Sequence, residues 1–474
     1  MRRIGFTFLL LLTGLSLRAQ QAWTLQQCID HALSHNLQVR QSELSVDQNK
    51  SQVQQSTATL FPSVNGSASQ SYFFGRSIDP FTNVFANQQI TNNNFNLNAS
   101  MSIFEGFQLM NTLRQSKLNY MASRADLDKI RNDIALNVAT AYLQVLYNED
   151  LVGVAEGQLE SSRQQRDRAK RQYELGAIAQ SGYLDLESQF ATDDLNLVNA
   201  RAQLAQSRLS LTQLLELDSV SNFQITRPDV LLPAWDATSA SVEVVFNAAM
   251  TNQPEIRASE YRYLSAERGL SIARGTRYPR LSVSGNLNTN ISSSAQEVTG
   301  FLALPPSIVE SGFTSGGDTV YSVVPNNVIQ TRETPFSKQF EDNLGKSVGF
   351  TLSVPIFNGW AARNNVTRAR IGLEQARISR EQTRKTLYKS VQQAVTDAQA
   401  ASSRYESGNR SLSALERSFE ENRKRFEVGA ISTYDFLLVQ NNLARTRATA
   451  LQNKYDFLFR LKVLDFYQGK PLSF

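Results

Sequence analysis

This chain carries one plan twice. Val39-Arg40-Gln41-Ser42-Glu43 returns as Ile256-Arg257-Ala258-Ser259-Glu260, and Phe61-Pro62 returns as Tyr278-Pro279, both 217 positions later. Further along the offset is 253. Phe104-Glu105-Gly106-Phe107 matches Phe357-Asn358-Gly359-Trp360, and Tyr173-Glu174-Leu175-Gly176-Ala177-Ile178 matches Phe426-Glu427-Val428-Gly429-Ala430-Ile431. Two unrelated low-complexity helical stretches would not hold one register across motifs this far apart, so each half is one structural unit. The offset grows by 36 residues, which places a single insertion between Pro279 and Phe357. The expected organisation is a first repeat over 20–217, a linker over 218–240, a second repeat over 241–468 and a tail over 469–474.

Within each half the hydrophobic period switches twice. Helical composition over about 36–60 and 253–277 ends at an aromatic-Pro pair, and proline disfavours the α conformation in the residue before it. After the proline the period becomes two. Phe95, Leu97, Ala99, Met101 and Ile103 alternate with Asn and Ser, as do Leu281, Val283, Leu287 and Ile291, while Val348, Phe350, Leu352 and Val354 alternate with Gly, Thr, Ser and Pro. The expected strands are about 64–74, 95–104, 281–291 and 347–356, two per half. Their length, about ten residues, and their Ser/Asn face opposite an apolar face match membrane β-strands. Alternation alone also fits a soluble sandwich with one wet face. Export and the flanking aromatics Tyr72, Phe73, Phe74, Phe104, Phe107, Phe357 and Trp360 favour the membrane. Four strands cannot close a barrel, since the smallest membrane barrels use about eight. Open strand edges are not tolerated in lipid, so several chains must share one barrel. Long polar loops, 75–92 and about 292–345, join the strands of each pair and are expected to face outward from the cell.

The rest of each half reads as helix. Gly106 to Gly176 and Gly359 to Gly429 are both intervals of 70 residues with few breakers. At the α-helical rise each would span ~105 Å, far beyond an ordinary globular helix. Long helices are expected over 107–175 and 360–428, and return helices over 178–217 and 431–468. A return helix is ~60 Å, and stacking it end to end on a lead-in helix of ~37 Å would match the long one in height. The segment 218–240, with Phe223, Pro228, Pro233 and Trp235, is expected to lie with the C-terminal tail around the waist.

Composition excludes other classes. The chain is 41% hydrophobic and 19% charged, with a mean hydropathy of −0.33. After the first twenty residues no apolar run reaches the ~18 residues of a spanning helix. Met1-Arg2-Arg3, the apolar stretch from Ile4 to Leu17 and small Ala19 read as a signal peptide over 1–19. Losing Arg2, Arg3 and Arg18 with it turns the formal charge of +5 into +2, too little to point to nucleic acid. Leu25-Gln26-Gln27 before Cys28 lacks the small residues of a lipid-attachment site, so no lipid is expected there.

The ordered set of motifs, in duplicate, resembles the TolC family of outer-membrane efflux and secretion channels over essentially the whole mature chain. The resemblance is carried by Trp23-Thr24-Leu25-Gln26-Gln27-Cys28-Ile29-Asp30-His31-Ala32-Leu33, by the Phe-x-Gly elements at Phe104 and Phe357, by Ala139-Thr140-Ala141-Tyr142-Leu143 and by the two glycine turns. It implies a mainly α chain with a membrane β-barrel portion. Three such chains would close a 12-stranded β-barrel continuous with a periplasmic α-helical barrel. It implies a substrate path along the axis and docking to a periplasmic adaptor of an inner-membrane pump. On the same resemblance, Leu175, Gly176, Ala177, Ile178 and Val428, Gly429, Ala430, Ile431 are the periplasmic tips where the adaptor binds. Family members narrow the channel with aspartates just beyond the second turn. Asp435 stands at such a position, but one helical turn later this chain has Leu438, and the matching places in the first half are Gly182 and Asp185. The expected constriction is therefore Asp435, Asp185 and Leu438, where a ring of three Asp435 side chains would attract cations and repel anions.

Catalysis finds no footing. Cys28, His31 and His35 lie on one helix face at i, i+3 and i+7, a spacing that three metal ligands could use. No second cluster accompanies them, so neither a metal nor any other cofactor is expected. No phosphate loop, nucleophile elbow or metalloprotease motif occurs, and two histidines near one end leave acid–base chemistry without its usual residue. The reading is a passive, non-enzymatic exit duct. Its rival is a structural or adhesive envelope protein with a helical stalk and the 292–345 loop as a binding surface.

Overall fold

The computed structural model describes residues 22–78, 83–87, 89–217, 223–228 and 241–472. The expected leader and, in the linker, Pro233 and Trp235 lie outside the described residues. The first repeat contains α1 (Leu25–His35), α2 (Leu37–Ala58), β1 (Ser63–Phe73), β2 (Arg76–Ile78), β3 (Phe85–Asn87), β4 (Ile90–Glu105), α3 (Gln108–Glu174) and α4 (Gln180–Leu214). The second contains α5 (Val242–Asn252), α6 (Pro254–Gly275), β5 (Arg280–Ser292), β6 (Gln296–Phe313), β7 (Thr319–Glu333), α7 (Phe336–Asp342), β8 (Gly345–Ser353), α8 (Ala361–Glu427) and α9 (Thr433–Gln468). The described residues fall into two compact units, a helical one within 1–51, 117–265 and 373–474, and a strand-bearing one within 52–116 and 266–372.

In the helical unit both repeats begin alike. The Thr24 hydroxyl accepts the Gln27 N–H while the Gln27 side chain accepts the Thr24 N–H, a reciprocal cap that starts α1. Ser241, 217 positions later, caps α5 through the Val244 N–H. Asn36 and Gln253 then interrupt the two helices with extended backbone. Asn36 turns its side-chain oxygen to the N–H groups of Gln38 and Val39 and so opens α2. The second repeat uses Pro254 instead, at the helix position where proline's missing N–H costs nothing. Packing follows the same offsets. Cys28 and Ala32 are sealed against Val138, Tyr142 and Val145, and Val245 and Ala249 against Val391, Val395 and Ala398. Burying each of the valines contributes about 1.5–3 kcal/mol, and each alanine methyl about 0.8 kcal/mol. The first cluster is the larger, and Phe223, Ile225 and Leu472 also pack on it. Trp23 bridges Ile225 there, and the buried Tyr142 hydroxyl lies in hydrogen-bonding reach of the Trp23 and Thr226 carbonyls.

In the strand-bearing unit one antiparallel sheet runs β1-β4-β5-β8. Ser63 faces Ser100 in the first hairpin and Arg280 faces Ser353 in the second, so the register repeats at the sequence offsets of 217 and 253. One face carries Val64, Leu97, Val283, Val348, Phe350 and Leu352, the other Asn and Ser. Val348 and Phe350 are 75% and 70% exposed, a cost in water and an advantage in lipid. Gly106 marks the exit from β4. Its φ is +59°, and a side-chain carbon there would strike the carbonyl oxygen of Gly275, so only glycine fits.

The segment expected as a polar loop over 292–345 is more ordered than that. β6 and β7 pair as a two-stranded ribbon, and α7 follows it. The loop is rich in Gly, Ser, Thr and Pro, but Phe301 opposite Ile329, Leu302 opposite Val328 and Ile308 opposite Val323 supply pairs of β-forming side chains. A short pair, β2 with β3, likewise forms inside the 75–92 loop.

Candidate functional site: the two hairpin tips

Both long helices end in the same turn. Gly176 and Gly429 adopt the left-handed conformation, with φ +73° and +75°. The Gly176 N–H bonds the Tyr173 carbonyl at 2.9 Å and the Ala177 N–H the Gln172 carbonyl at 2.7 Å. At the second tip Gly429 bonds Phe426 at 3.0 Å and Ala430 bonds Arg425 at 2.8 Å. This double bond pattern satisfies the last helical carbonyls, and glycine supplies the conformation at no steric cost. Apolar side chains crown both turns, Leu175 at 84% and Val428 at 80% exposure. Ala177 and Ala430 are exposed too, while Ile178 and Ile431 are half-buried.

The return helices leave the turns side by side. A side-chain carbon at Gly182 would sit 3.8 Å from Thr433 Oγ1. Seven residues further on, Gln189 and Asn441 exchange two hydrogen bonds of 3.1 Å. Asp435, Asp185 and Leu438 are exposed on these helices. Asp435 has a local partner as well. The Ser432 hydroxyl donates to its Oδ2 at 2.7 Å and accepts the Asp435 N–H at 3.1 Å, a cap that starts α9. Ala179, at the matching place before α4, makes no such bond.

Beneath the turns, Tyr173 and Phe426 of the repeated motif meet side chains that lie outside it. Tyr173 stacks on Tyr183 in the first tip, and Phe426 on Phe436 in the second. Arg166, Glu187 and Phe190 surround the first pair, and Phe419, Gln440 and Leu443 occupy the equivalent positions around the second. The 253-residue offset would have found them.

The Cys28–His31–His35 face is no ligand set. Cys28 is fully buried and its thiol is pushed up to about 12 by burial, so it stays protonated. His31 stacks on His35 at 4.0 Å, and burial, then the neighbouring His35, lowers its pKa. Among the described residues no three His, Cys, Asp or Glu side chains group to hold a metal ion.

A duplicated helical hairpin plan joined to an antiparallel sheet with one apolar, exposed face is the subunit design of an outer-membrane channel. The chain belongs to the outer membrane efflux protein family, which matches residues 28–216 and 245–469. It is 22% identical over 463 residues to outer membrane protein TolC of Escherichia coli (strain K12), covering 94% of this chain and 83% of that one. It is 21% identical over 432 residues to the cation efflux system protein CusC of the same strain, covering 90% and 82%. Its fold superposes on the crystal structure of the outer membrane protein VceC from Vibrio cholerae with a TM-score of 0.74 at 14% identity, covering 94% of this chain and 96% of that one. The chain is therefore an outer-membrane efflux protein with a periplasmic helical extension, a conduit and not an enzyme.

Proposed function

We infer that this chain is the exit duct of a tripartite efflux or type I secretion system. Three copies close a 12-stranded barrel, and cargo delivered by an inner-membrane pump passes along the axis without further energy input. The observation that carries this reading is the sheet itself. Its edge strands β1 and β8 are unpaired among the described residues, and its exposed apolar face suits lipid. Lipid tolerates no open edge, so the missing partners are other copies. The tips, with Leu175 and Val428 bare, are the docking points for a periplasmic adaptor. Asp435, with Asp185 and Leu438 beside it, forms the constriction and favours cations there.

The test is the protein mass of the particle extracted from outer membranes in mild detergent, corrected for bound detergent. Three chains are expected, and a single folded chain would overturn the duct in favour of a stalk. Conductance then tests the constriction. Asp435→Ala is expected to lower cation preference across a planar bilayer, and unchanged selectivity would remove Asp435 from the gate.

A further inference from the structure

The apolar face of the sheet is not evenly filled. Gly66, Leu97, Leu287 and Lys346 stand side by side across the four strands, and the next row of that face reads Val64, Ala99, Gly285 and Val348. Small residues at the centre of the second row leave a groove of about 300 Å³. Ala99 and Gly285 form its floor, and Val64, Leu97, Leu287 and Val348 its walls. A side-chain carbon built on Gly285 meets nothing nearer than the Ser347 carbonyl oxygen at 3.9 Å, so the floor is open space. This volume lies at the low end of small-molecule sites. Lys346 is the charged residue among those that line it.

The strands join helices at their Ser63, Glu105, Arg280 and Ser353 ends, and Lys346 lies near the opposite end of β8. Seven residues of strand separate it from Ser353, or ~23 Å, close to the ~25 Å apolar band of a membrane barrel. The helical extension is periplasmic, so this end of the band is the outer one. A lysine at that level keeps its stem on apolar surface and its ammonium among the lipid headgroups. Arg332 and Lys338, in the same connection between β5 and β8, both pair with Glu297, whereas Lys346 has no carboxylate partner among the described residues. Beyond Leu97 and Leu287 the groove ends at a shelf. The Thr289 hydroxyl donates to the Phe340 carbonyl at 3.1 Å, and the Phe336 and Phe340 rings stand edge-on to Phe95 at 6.3 and 5.9 Å, so α7 lies on the same apolar face. Gln339 pins α7 there, accepting the Ser292 N–H at 2.9 Å and donating to the Ser292 carbonyl at 3.1 Å.

We propose that this groove holds one acyl chain of a phosphorylated glycolipid of the outer leaflet, with a phosphate of that lipid on the Lys346 ammonium. The inference rests on the reading of the apolar face as the lipid face. Every wall of a barrel touches acyl chains, but a flat wall holds none of them in particular. Here the floor of Ala99 and Gly285 gives one chain a seat below the level of its neighbours, and α7 stops it at the outer end, where the headgroup begins. The charge at that end is a single uncommitted cation, which complements a phosphate and gives a neutral headgroup nothing. The leaflet follows from the position of Lys346, since the same cation at the Ser353 end would face phospholipid of the inner leaflet.

Native mass spectrometry of the detergent-extracted particle, titrated with lipid A, with the same lipid stripped of its phosphates and with phosphatidylglycerol, tests the site. Lipid A is expected to bind at one molecule per chain, and the other two lipids more weakly. Lys346→Gln is expected to weaken lipid A about fivefold, to leave the stripped lipid unchanged and to be rescued by Lys346→Arg. Gly285→Leu, in extended backbone with room for the side chain, fills the floor and is expected to weaken lipid A and the stripped lipid alike. Ala99→Leu fills it from the neighbouring strand and serves if the first variant does not assemble. Lipid A bound equally by wild type, Lys346→Gln and a filled variant would overturn the groove as a site. Phosphatidylglycerol bound as tightly as lipid A would overturn the outer-leaflet assignment. A three-chain particle that binds no lipid A overturns the groove and leaves the duct intact. A one-chain particle overturns the duct, and Lys346-dependent binding of lipid A to it would still support the groove.

Discussion

At the first tip Tyr173 stacks on Tyr183 with ring centroids 5.9 Å apart, and around them is a polar network. The Tyr183 hydroxyl donates to Glu187 at 3.0 Å, and Arg166 lies 4.0 Å over the Phe190 ring, bonds Asp167 and approaches Glu187 at 3.9 Å. At the second tip Phe426 stacks on Phe436 at 4.4 Å, Phe419 stands where Arg166 was, and Leu443 where Phe190 was. Gln440, in place of Glu187, is 1% exposed, and neither polar atom of its amide finds a partner among the described residues. One turn thus survives on two interiors, because the backbone bonds of a glycine turn do not depend on what packs beneath it. The first interior is polar, charged and half-exposed. The second is mostly apolar and closely packed, with Phe436, Gln440 and Leu443 buried.

The largest effect should come from removing the ring that the second interior is built on. Phe436 is 1% exposed, so Phe436→Ala opens a cavity and is expected to cost about 3–5 kcal/mol locally. Tyr183→Ala, at a half-buried site, should cost less. Amide hydrogen exchange in the first turns of α9 and α4 measures both, and equal losses would erase the distinction between the tips.

A smaller change of opposite sign separates them further. Leaving a buried amide unsatisfied costs about 1–3 kcal/mol, so Gln440→Leu is expected to strengthen the second tip by an amount within that range. Glu187→Leu, the same replacement at the matching place, removes the acceptor of the Tyr183 hydroxyl and should weaken the first. Thermal melts of the two variants in detergent should move in opposite directions. Movement in the same direction would mean that Gln440 has a partner in the assembled particle.

How much of this was open to reading beforehand differs by region. The offsets seen in Phe104-Glu105-Gly106 and Phe357-Asn358-Gly359 reappear in the hairpin registers, because a duplicated strand pair inherits its alternation of faces. The ribbon of β6 and β7 escaped, since Gly and Pro in 296–333 mask β-branched residues that face one another only once the strands are paired. At the tips, Leu175, Gly176, Val428 and Gly429 stand out as a local motif. Arg166 and Phe419 sit within a long run of helix, where the 253-residue offset aligns them but nothing local in the sequence marks them out. The Ser432–Asp435 cap is legible as a spacing of three, but its carboxylate also serves the helix start, a role that a lumen reading alone overlooks.

That cap supplies a transplant. Ala179 occupies the place of Ser432 and leaves the first N–H groups of α4 without a side-chain acceptor. Ala179→Ser should let its hydroxyl oxygen accept from the Gly182 N–H, which otherwise bonds only the Ala179 carbonyl at 3.1 Å, and strengthen the first tip by about 1 kcal/mol. Exchange protection at 180–183 is the readout. No gain would show that the bond to the Ala179 carbonyl already suffices for this group.

The least effect, and the most selective, is that of acid. Arg166 holds the Asp167 carboxyl below its ordinary 3.8, first by hydrogen bonding and then by charge. A carboxyl depressed in the folded state binds its proton less readily there than in the unfolded chain. Its stabilising contribution is complete above 3.8 and is lost as the pH falls through the lowered value. Glu420, the equivalent in the second repeat, pairs with Arg423 on its own helix, and the place of Arg166 is taken by the uncharged Phe419. Below pH 3.8 the first tip should therefore lose exchange protection ahead of the second. The loss is expected to be modest because Asp167 is largely solvated, and high salt should mimic it in the same tip by screening the pair. Asp167→Asn should abolish the difference in acid response between the tips. If the second tip opened first, or if the asparagine variant kept the difference, charge would not be what holds the first interior together.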